Sequence, residues 1–449
     1  MVDGLYRRTI ELALATLIVV VACGSAIDVS LLLLGRGWRF IVLVEFAAAV
    51  WAYWAWRYPR LGSLRRPVVY AAVALVALAA MSAAWSVDPK LTLLRTAALA
   101  LTLAAGIGLA SAAAGRPSVV AGVLFALLVG AASVALLGLL ILSLSHDLAV
   151  QPATTQYPAR YRGVGQNPNT VALLLALAVP LTLWAFVRAR TILGKSAAVA
   201  AFVLFDASIV ASGARGPLLA GFVGSLVYLL VRAGSTRARF VSVAVAVLVL
   251  ALDAGLTQVP KALQPVPGPT TQRPSAPARP QPNVEFVRPL SDEIGASNGG
   301  SIHRSLFGTS GRLGAWRGAL GQAAHRPLAG YGFGTEDRVF VDRYYGFDSS
   351  LPENSYIGTV LQLGIVGALA FAALLAAVAV AGVRAVRGAS PGRLEAAACA
   401  SVVAAGLVLA LTQSYLTSIG NVATVTFWVA ALLLTANSFV HPPSNRREA

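Results

Sequence analysis

Apolar residues in this chain come in long runs separated by short polar joints. Runs long enough to cross a bilayer, at roughly 17 to 25 residues per helix, fall near 9–34, 38–57, 68–87, 91–112, 117–145 and 168–188, then near 195–211, 214–232, 238–256, 354–384, 393–415 and 419–439. The pattern predicts an all-α, polytopic integral membrane protein with about twelve transmembrane helices. Leu256 to Pro352 breaks the pattern as a long polar loop. Its first part, about 259–283, is Pro-rich and too poor in apolar residues to bury a core, so it reads as an extended tether. From Ile302 onward, Leu306, Leu313, Trp316, Leu320 and Ala323 recur at helical spacing and predict an amphipathic helix lying against the membrane or the bundle. The chain thus divides into helices one to nine over 1–255, the loop 256–352 with a helical part over about 302–352, helices ten to twelve over 353–440, and a tail 441–449.

Composition agrees, since 57% hydrophobic and 12% charged residues leave too little polar surface for a soluble globule. A net charge of +17 would suggest nucleic acid in a soluble protein. Here most of the Arg lies in short joints between apolar runs, where anionic headgroups and topology account for it, so the expected partner is the membrane and not nucleic acid. With the N-terminus cytoplasmic, one side collects Arg7, Arg8, Arg57, Arg60, Arg65, Arg66, Arg188, Arg190, Arg384 and Arg387 among others. The short joints opposite collect mainly Arg36, Arg39, Lys90, Arg160, Arg162 and Arg215. Both termini are then cytoplasmic and the long loop is extracytoplasmic. Cys23 and Cys399 lie in apolar runs, forming neither a disulfide framework nor a metal-like spacing. No metal or cofactor is expected. Asp28, Glu45 and Asp206 are costly in lipid and are expected to face the bundle interior, where a pathway of such charges would suit a transporter.

Four polar strings fall on the outer side of this topology. They are MSAAWSVDPKLTLLR (81–95), RGVGQNPNTVALLL (162–175), SGARGPLLAG (212–221), and the loop end SGRLGAWRGALGQAAHRPLAGYGFG followed by PENSYIGTVLQLGIVG. In this order, with the long loop late in the chain, they resemble the O-antigen ligase and O-antigen polymerase superfamily over about Ser82 to Trp428. The resemblance implies a GT-C-like glycosyltransferase of the bacterial cytoplasmic membrane. It would move a glycan from an undecaprenyl-diphosphate carrier to a glycan or lipid-linked acceptor on the outer side, without a metal, alongside possible polysaccharide assembly proteins.

The resemblance assigns catalytic roles to Arg215, in the turn before a helix, and to Arg312, in the loop pattern of Arg, a short spacer and Trp. Paired guanidinium donors suit a diphosphate leaving group, whose charge grows as the anomeric bond breaks. Glu353 stands where ligases of the family usually carry His, ahead of Asn354 and the Gly364/Gly367 pair. A carboxylate there can serve as general base. The same stretch, Ser350 to Glu353 with Pro352 in the first turn, also spells a capping box, so Glu353 has a second role open to it. Arg162, Asn167, Asn169, Arg317, Arg326, Asn354 and Tyr356 are candidates for substrate binding. His303 and His325 could replace the family His, but read more simply as solvated side chains. Gly330 to Gly334 could form an anion nest or only turns. Tyr331, Phe333, Tyr344, Tyr345 and Phe347 could stack on sugars or anchor the loop. Replacement of His by Glu353 favours a polymerase of exopolysaccharide, capsule or O-antigen over a ligase to lipid A core. A transporter of lipid-linked oligosaccharide is the alternative from another class.

Overall fold

Short polar residues and prolines at the joints decide where each helix begins. The computed structural model describes residues 2–57, 66–152, 159–257, 312–340, 351–388, 392–418 and 420–436. Asp88 caps α4 (Pro89–Ala113) by accepting from the Leu91 N–H, and Asn167 caps α7 (Pro168–Arg188) by accepting from Asn169. Thr191 and Ser235 do the same for α8 (Ile192–Ser212) and α10 (Thr236–Leu256). In each case a side-chain oxygen satisfies an N–H that the first turn leaves without a partner, and Pro fits the first turn because it has none to satisfy. The other long helices are α1 (Val2–Cys23), α2 (Val29–Arg57), α3 (Arg66–Met81), α5 (Pro117–Leu144) and α9 (Arg215–Arg232). A one-turn helix α6 (His146–Ala149) leads into a small antiparallel ladder, β1 (Val150–Gln151) with β2 (Arg160–Tyr161), in which Val150 faces Tyr161.

Beyond residue 311 come α11 (Arg312–Ala323), the short α12 (Glu336–Val339), α13 (Ser355–Arg387), α14 (Arg393–Leu409) and α15 (Val422–Leu433). Each predicted apolar run overlaps a helix, with bounds that differ in several cases. Among the described residues, eight helices are long and apolar enough to cross a membrane, and α15 is a shorter apolar one. The chain is an all-α, multi-pass membrane protein. Helix α7 lies at its centre, with Val171 to Leu181 buried throughout, and α15 is buried from Val422 to Leu433. Between apolar helices in lipid, close packing drives association, and small residues permit it. At Gly224 of α9 an added Cβ would lie 2.9 Å from the Ser401 carbonyl oxygen of α14. At the far end of α7, Arg188 pairs with the buried Glu395 of α14 at 2.5 Å.

Three boundaries differ from the sequence reading. The joint between the first two helices falls at Gly24 to Asp28, not near residue 36, because Asp28 accepts from the Leu31 N–H and starts α2 there. Arg36 and Arg39 are therefore helical, not in a joint, and Asp28 is a cap. Helix α14 stops at Leu409, short of the predicted 415, and Thr412 to Thr417 form a non-helical polar segment. Helix α13 is broken at Gly364, which has φ 64° and ψ −165°.

The amphipathic reading of α11 is also corrected. Its buried face is Ala315, Ala319 and Ala323, while Leu313 and Leu320 are about half exposed. A small-residue stripe at four-residue spacing lets α11 lie close against α13, and Tyr331, Val339, Phe340 and Leu361 complete a second, smaller core there. The tether 259–283, Ile302, His303, Leu306, Tyr344, Tyr345, Phe347, Ser350 and the tail 441–449 lie outside the described residues.

Candidate active site on the second, third and fourth strings

Helix α8 ends at Gly213, and Arg215 opens α9 one residue past the turn. Arg160 ties this turn to the second string. Its Nε donates to the Ser212 carbonyl at 2.6 Å and its Nη2 to Asn169 Oδ1 at 3.1 Å. Arg215 is half-buried and within electrostatic reach of Arg312, whose like charge bears on it. On its other side the turn rests on the polar segment after α14, since a Cβ on Gly216 would lie 2.3 Å from Thr412 Oγ1.

The same polar segment holds the start of α13. The Asn354 N–H donates to Ser414 Oγ at 3.1 Å, and Asn354 Nδ2 donates to the Leu411 carbonyl at 3.0 Å. Ser355 Oγ donates to the Gln413 carbonyl at 2.7 Å and accepts from the Tyr415 N–H at 2.9 Å. Asn354 is the cap of α13, accepting from the Tyr356 and Ile357 N–H groups. The capping-box reading of Glu353 is thereby overturned. Glu353 precedes the cap with φ 52°, and it is the one non-glycine with positive φ among the described residues. Such a conformation costs a side-chain-bearing residue on the order of 1 kcal/mol or more, and persists where its surroundings fix it. Here Trp316 Nε1 of α11 donates to the Pro352 carbonyl at 2.9 Å, directly before Glu353, while Ser414 holds the N–H directly after it. The Arg215 turn, the start of α11, residues 352–355 and the segment 411–416 thus meet in one place.

The substrate-binding candidates have other partners in this structure. Arg162 is buried, with Nε on the Leu148 carbonyl at 3.1 Å and Nη2 on the Asp147 carbonyl. Asn167 caps α7, Asn169 accepts from Arg160, and the Tyr356 hydroxyl donates to the Leu407 carbonyl at 2.9 Å. Arg326 lies over the Tyr331 ring at 4.9 Å, and Arg317 and His325 are exposed. Asn167, Asn169, Asn354 and Tyr356 frame the site, while Arg162 braces the chain at residues 147 and 148.

The first string meets the loop on the other flank of α13. The break at Gly364 frees backbone groups, and residues 327–334 take them up. Ile365 N–H donates to the Pro327 carbonyl at 2.8 Å, Tyr331 N–H to that of Leu361 at 3.1 Å, and Gly332 N–H to that of Gln362 at 2.9 Å. Phe333 N–H donates to Ser82 Oγ and Gly334 N–H to Gln362 Oε1, while Trp85 Nε1 donates to the Ala329 carbonyl. Gly330, Gly332 and Gly334 have φ of 64°, 104° and 77°, and a Cβ on Gly332 would lie 2.2 Å from Ser86 Oγ. With these N–H groups occupied internally, the run is a packed plug and not an anion nest. Tyr331 and Phe333 are buried, which removes them as sugar platforms.

Directly after the plug stands Glu336, which the sequence reading passed over. It is buried among Gln362, whose Nε2 donates to Glu336 Oε1, and Ser414, with Arg95 and Asp337 nearby, and burial pushes its carboxyl up to about 7. Arg95 itself pairs with Asp337 at 2.9 Å. Asp206, read as facing the interior, lines a cavity of about 120 Å³ between α7 and α10 together with Asp253 of α10. Among the described residues no group of His, Cys, Asp and Glu gathers as metal ligands.

No curated protein matches the chain. Residues 199–372, which carry Arg215, α11, Glu353 and the break at Gly364, match the family model described as O-Antigen ligase. The match covers less than half of the chain and falls inside the span over which the four strings resemble the O-antigen ligase and O-antigen polymerase superfamily.

Proposed function

We propose that the chain polymerises polysaccharide repeat units on the outer face of the bacterial cytoplasmic membrane, taking the growing glycan from an undecaprenyl-diphosphate carrier. In this reading twelve helices span the membrane, both termini are cytoplasmic and the 256–352 loop is outside. Arg215 and Arg312 hold the diphosphate. Glu353 takes the proton of the acceptor hydroxyl as its oxygen attacks the anomeric carbon, and the C–O bond to the diphosphate breaks with its electron pair leaving on phosphate. Inversion at the anomeric carbon follows from such a single displacement. Glu353, in place of the family's usual His, favours polymerase over ligase.

The observation that carries the reading is the approach of Arg215 and Arg312 from distant parts of the chain. Two guanidinium groups within electrostatic reach repel each other, and a diphosphate bound between them would offset that repulsion at the point where charge develops. The test uses purified protein with lipid-linked glycan extracted from cells in which this chain has been deleted. Products of increasing length are expected, and Arg215→Ala or Arg312→Ala should each lower kcat on the order of 100-fold. One-step transfer to a lipid acceptor would make the chain a ligase. Full activity in both Arg variants, at normal membrane levels, would remove the clamp from the mechanism.

A further inference from the structure

Arg36 and Arg39 stand three residues apart on α2, so their side chains leave neighbouring positions on one face of the helix. Arg36 is exposed and Arg39 half-buried. Arg39 reaches across to the joint before α15, where a Cβ on Gly420 would lie 3.2 Å from its Nη1. It shares a small recess with Leu17, Val21, Leu43 and Val425, and its Nε is closed off from solvent with no acceptor among the described residues. Arg95 of α4, whose like charge also bears on Arg39, is paired with Asp337. Among the described residues no carboxylate pairs with Arg36 or Arg39. Asn421 caps α15 by accepting from the Ala423 N–H, so the positive end of that helix lies at the Gly420 joint beside the Arg39 guanidinium. A sealed guanidinium N–H, a second arginine and a helix start repel one another, and all three favour an anion with several oxygens.

The surface around the pair gives that anion an apolar chain. Leu33, Leu34, Trp38, Ile41 and Val44 of α2 are exposed, and Trp among arginines is the pattern of headgroup depth. We propose that Arg36 and Arg39 form a second diphosphate site, which holds the carrier diphosphate of a lipid-linked acceptor while Arg215 and Arg312 hold that of the donor. The assignment rests on the polymerase reading, in which a repeat unit on its own carrier accepts the growing glycan. In the donor the diphosphate is bonded to the reacting anomeric carbon, so its clamp must adjoin Glu353. In the acceptor a glycan separates the reacting hydroxyl from the diphosphate, so that diphosphate must be held one glycan length away. The polar segment after α14 connects the two places. It touches the Arg215 turn at Thr412 and Arg39 at Gly420, and the chain between them can span at most about 29 Å. An oligosaccharide of several sugars bridges such a distance.

The experiment titrates the purified full-length chain in detergent with farnesyl diphosphate, a short isoprenyl diphosphate, by calorimetry. Wild type should show two sites. Arg36→Gln/Arg39→Gln should weaken one of them on the order of tenfold or more, and Arg215→Gln/Arg312→Gln the other. Arg36→Gln alone, at an exposed position outside the packing, should weaken the same site as the α2 double variant. Without ligand, that double variant should melt no lower than wild type, because the Arg39 Nε it removes has no acceptor to lose. With the extracted lipid-linked glycan it should raise KM about tenfold and leave kcat within about twofold, since the clamp and Glu353 are untouched. A single wild-type site that only the Arg215 and Arg312 variants abolish overturns the second site and leaves the clamp standing. A single site that only the Arg36 and Arg39 variants abolish overturns the clamp and leaves the α2 site. Equal displacement by phosphatidylglycerol in the micelles, or equal affinity for inorganic diphosphate, would make it a general phospholipid or free-anion site and overturn the acceptor role.

Discussion

On one side of Gly364, the residues Ser355 to Leu363 are buried or half-buried without exception, and Ser355, Thr359 and Gln362 are among the buried ones. On the other side, Ile365 to Arg387 alternates in helical rhythm. Gly367, Phe371, Leu374, Val378 and Ala381 face the bundle, while Ile365, Val366, Leu369, Val380 and Val383 are exposed as a lipid-facing stripe would be. The two parts run on within one predicted apolar span, although the first carries Ser355, Thr359 and Gln362. Their difference lies in what surrounds them: the first is enclosed by α11, α12, the plug and the 411–416 segment, the second by lipid and neighbouring helices. The candidate site lies at the enclosed part, where Asn354, Ser355, Tyr356 and Gln362 are fixed by hydrogen bonds to distant residues.

The largest effect expected from breaking this contrast is at the junction. A Cβ on Gly364 would lie 2.3 Å from the Leu328 backbone, at a φ that disfavours any side chain, so Gly364→Val should abolish detectable transfer and lower the yield of folded protein in membranes. Next comes pH. Glu336 binds its proton more tightly when folded, so the stability it contributes is present at low pH and lost as pH rises from 4.5 through about 7. Thermal unfolding in detergent should therefore show a loss on the order of 3 kcal/mol between acidic and alkaline pH that Glu336→Gln lacks. Asn354→Ala removes the cap and the bond to Leu411, and should destabilise by about 1 to 2 kcal/mol in the same assay. The smallest change is the control in the lipid-facing part. A Cβ on Gly382 meets only the tip of Leu434 at 3.3 Å, so Gly382→Ala should alter stability by less than about 0.5 kcal/mol and leave transfer intact.

The helices were legible because apolar runs and capping residues are local signals, and Asn167-Pro168 or Asp88-Pro89 marks a helix start with no knowledge of the rest. Arg215 and Arg312 could be singled out because the four strings appear in a recognisable order. The break at Gly364 could not be read, since a glycine in an apolar run costs little as a helix residue and its partner lies in the loop before it. The bounds of α14 were misplaced because Thr412, Gln413 and Ser414 were absorbed into an apolar window. Their interruption of that window was the available signal. Glu336 was hidden for another reason: an acidic pair after a glycine run looks like solvated loop, and only the three-dimensional enclosure reverses that.

The plug at Gly330 to Gly334 has a consequence for anyone exchanging parts between this chain and another. Because residues 327–334 complete the hydrogen bonding of a helix that begins at Ser355, and also dock on Ser82 and Trp85, the loop has no clean excision point at the membrane surface. A chimera that transplants the loop alone would leave the host helix with open carbonyls at its bend. The smallest transferable cassette runs from Arg312 through Gly367, and it needs the turn 82–95 supplied with it.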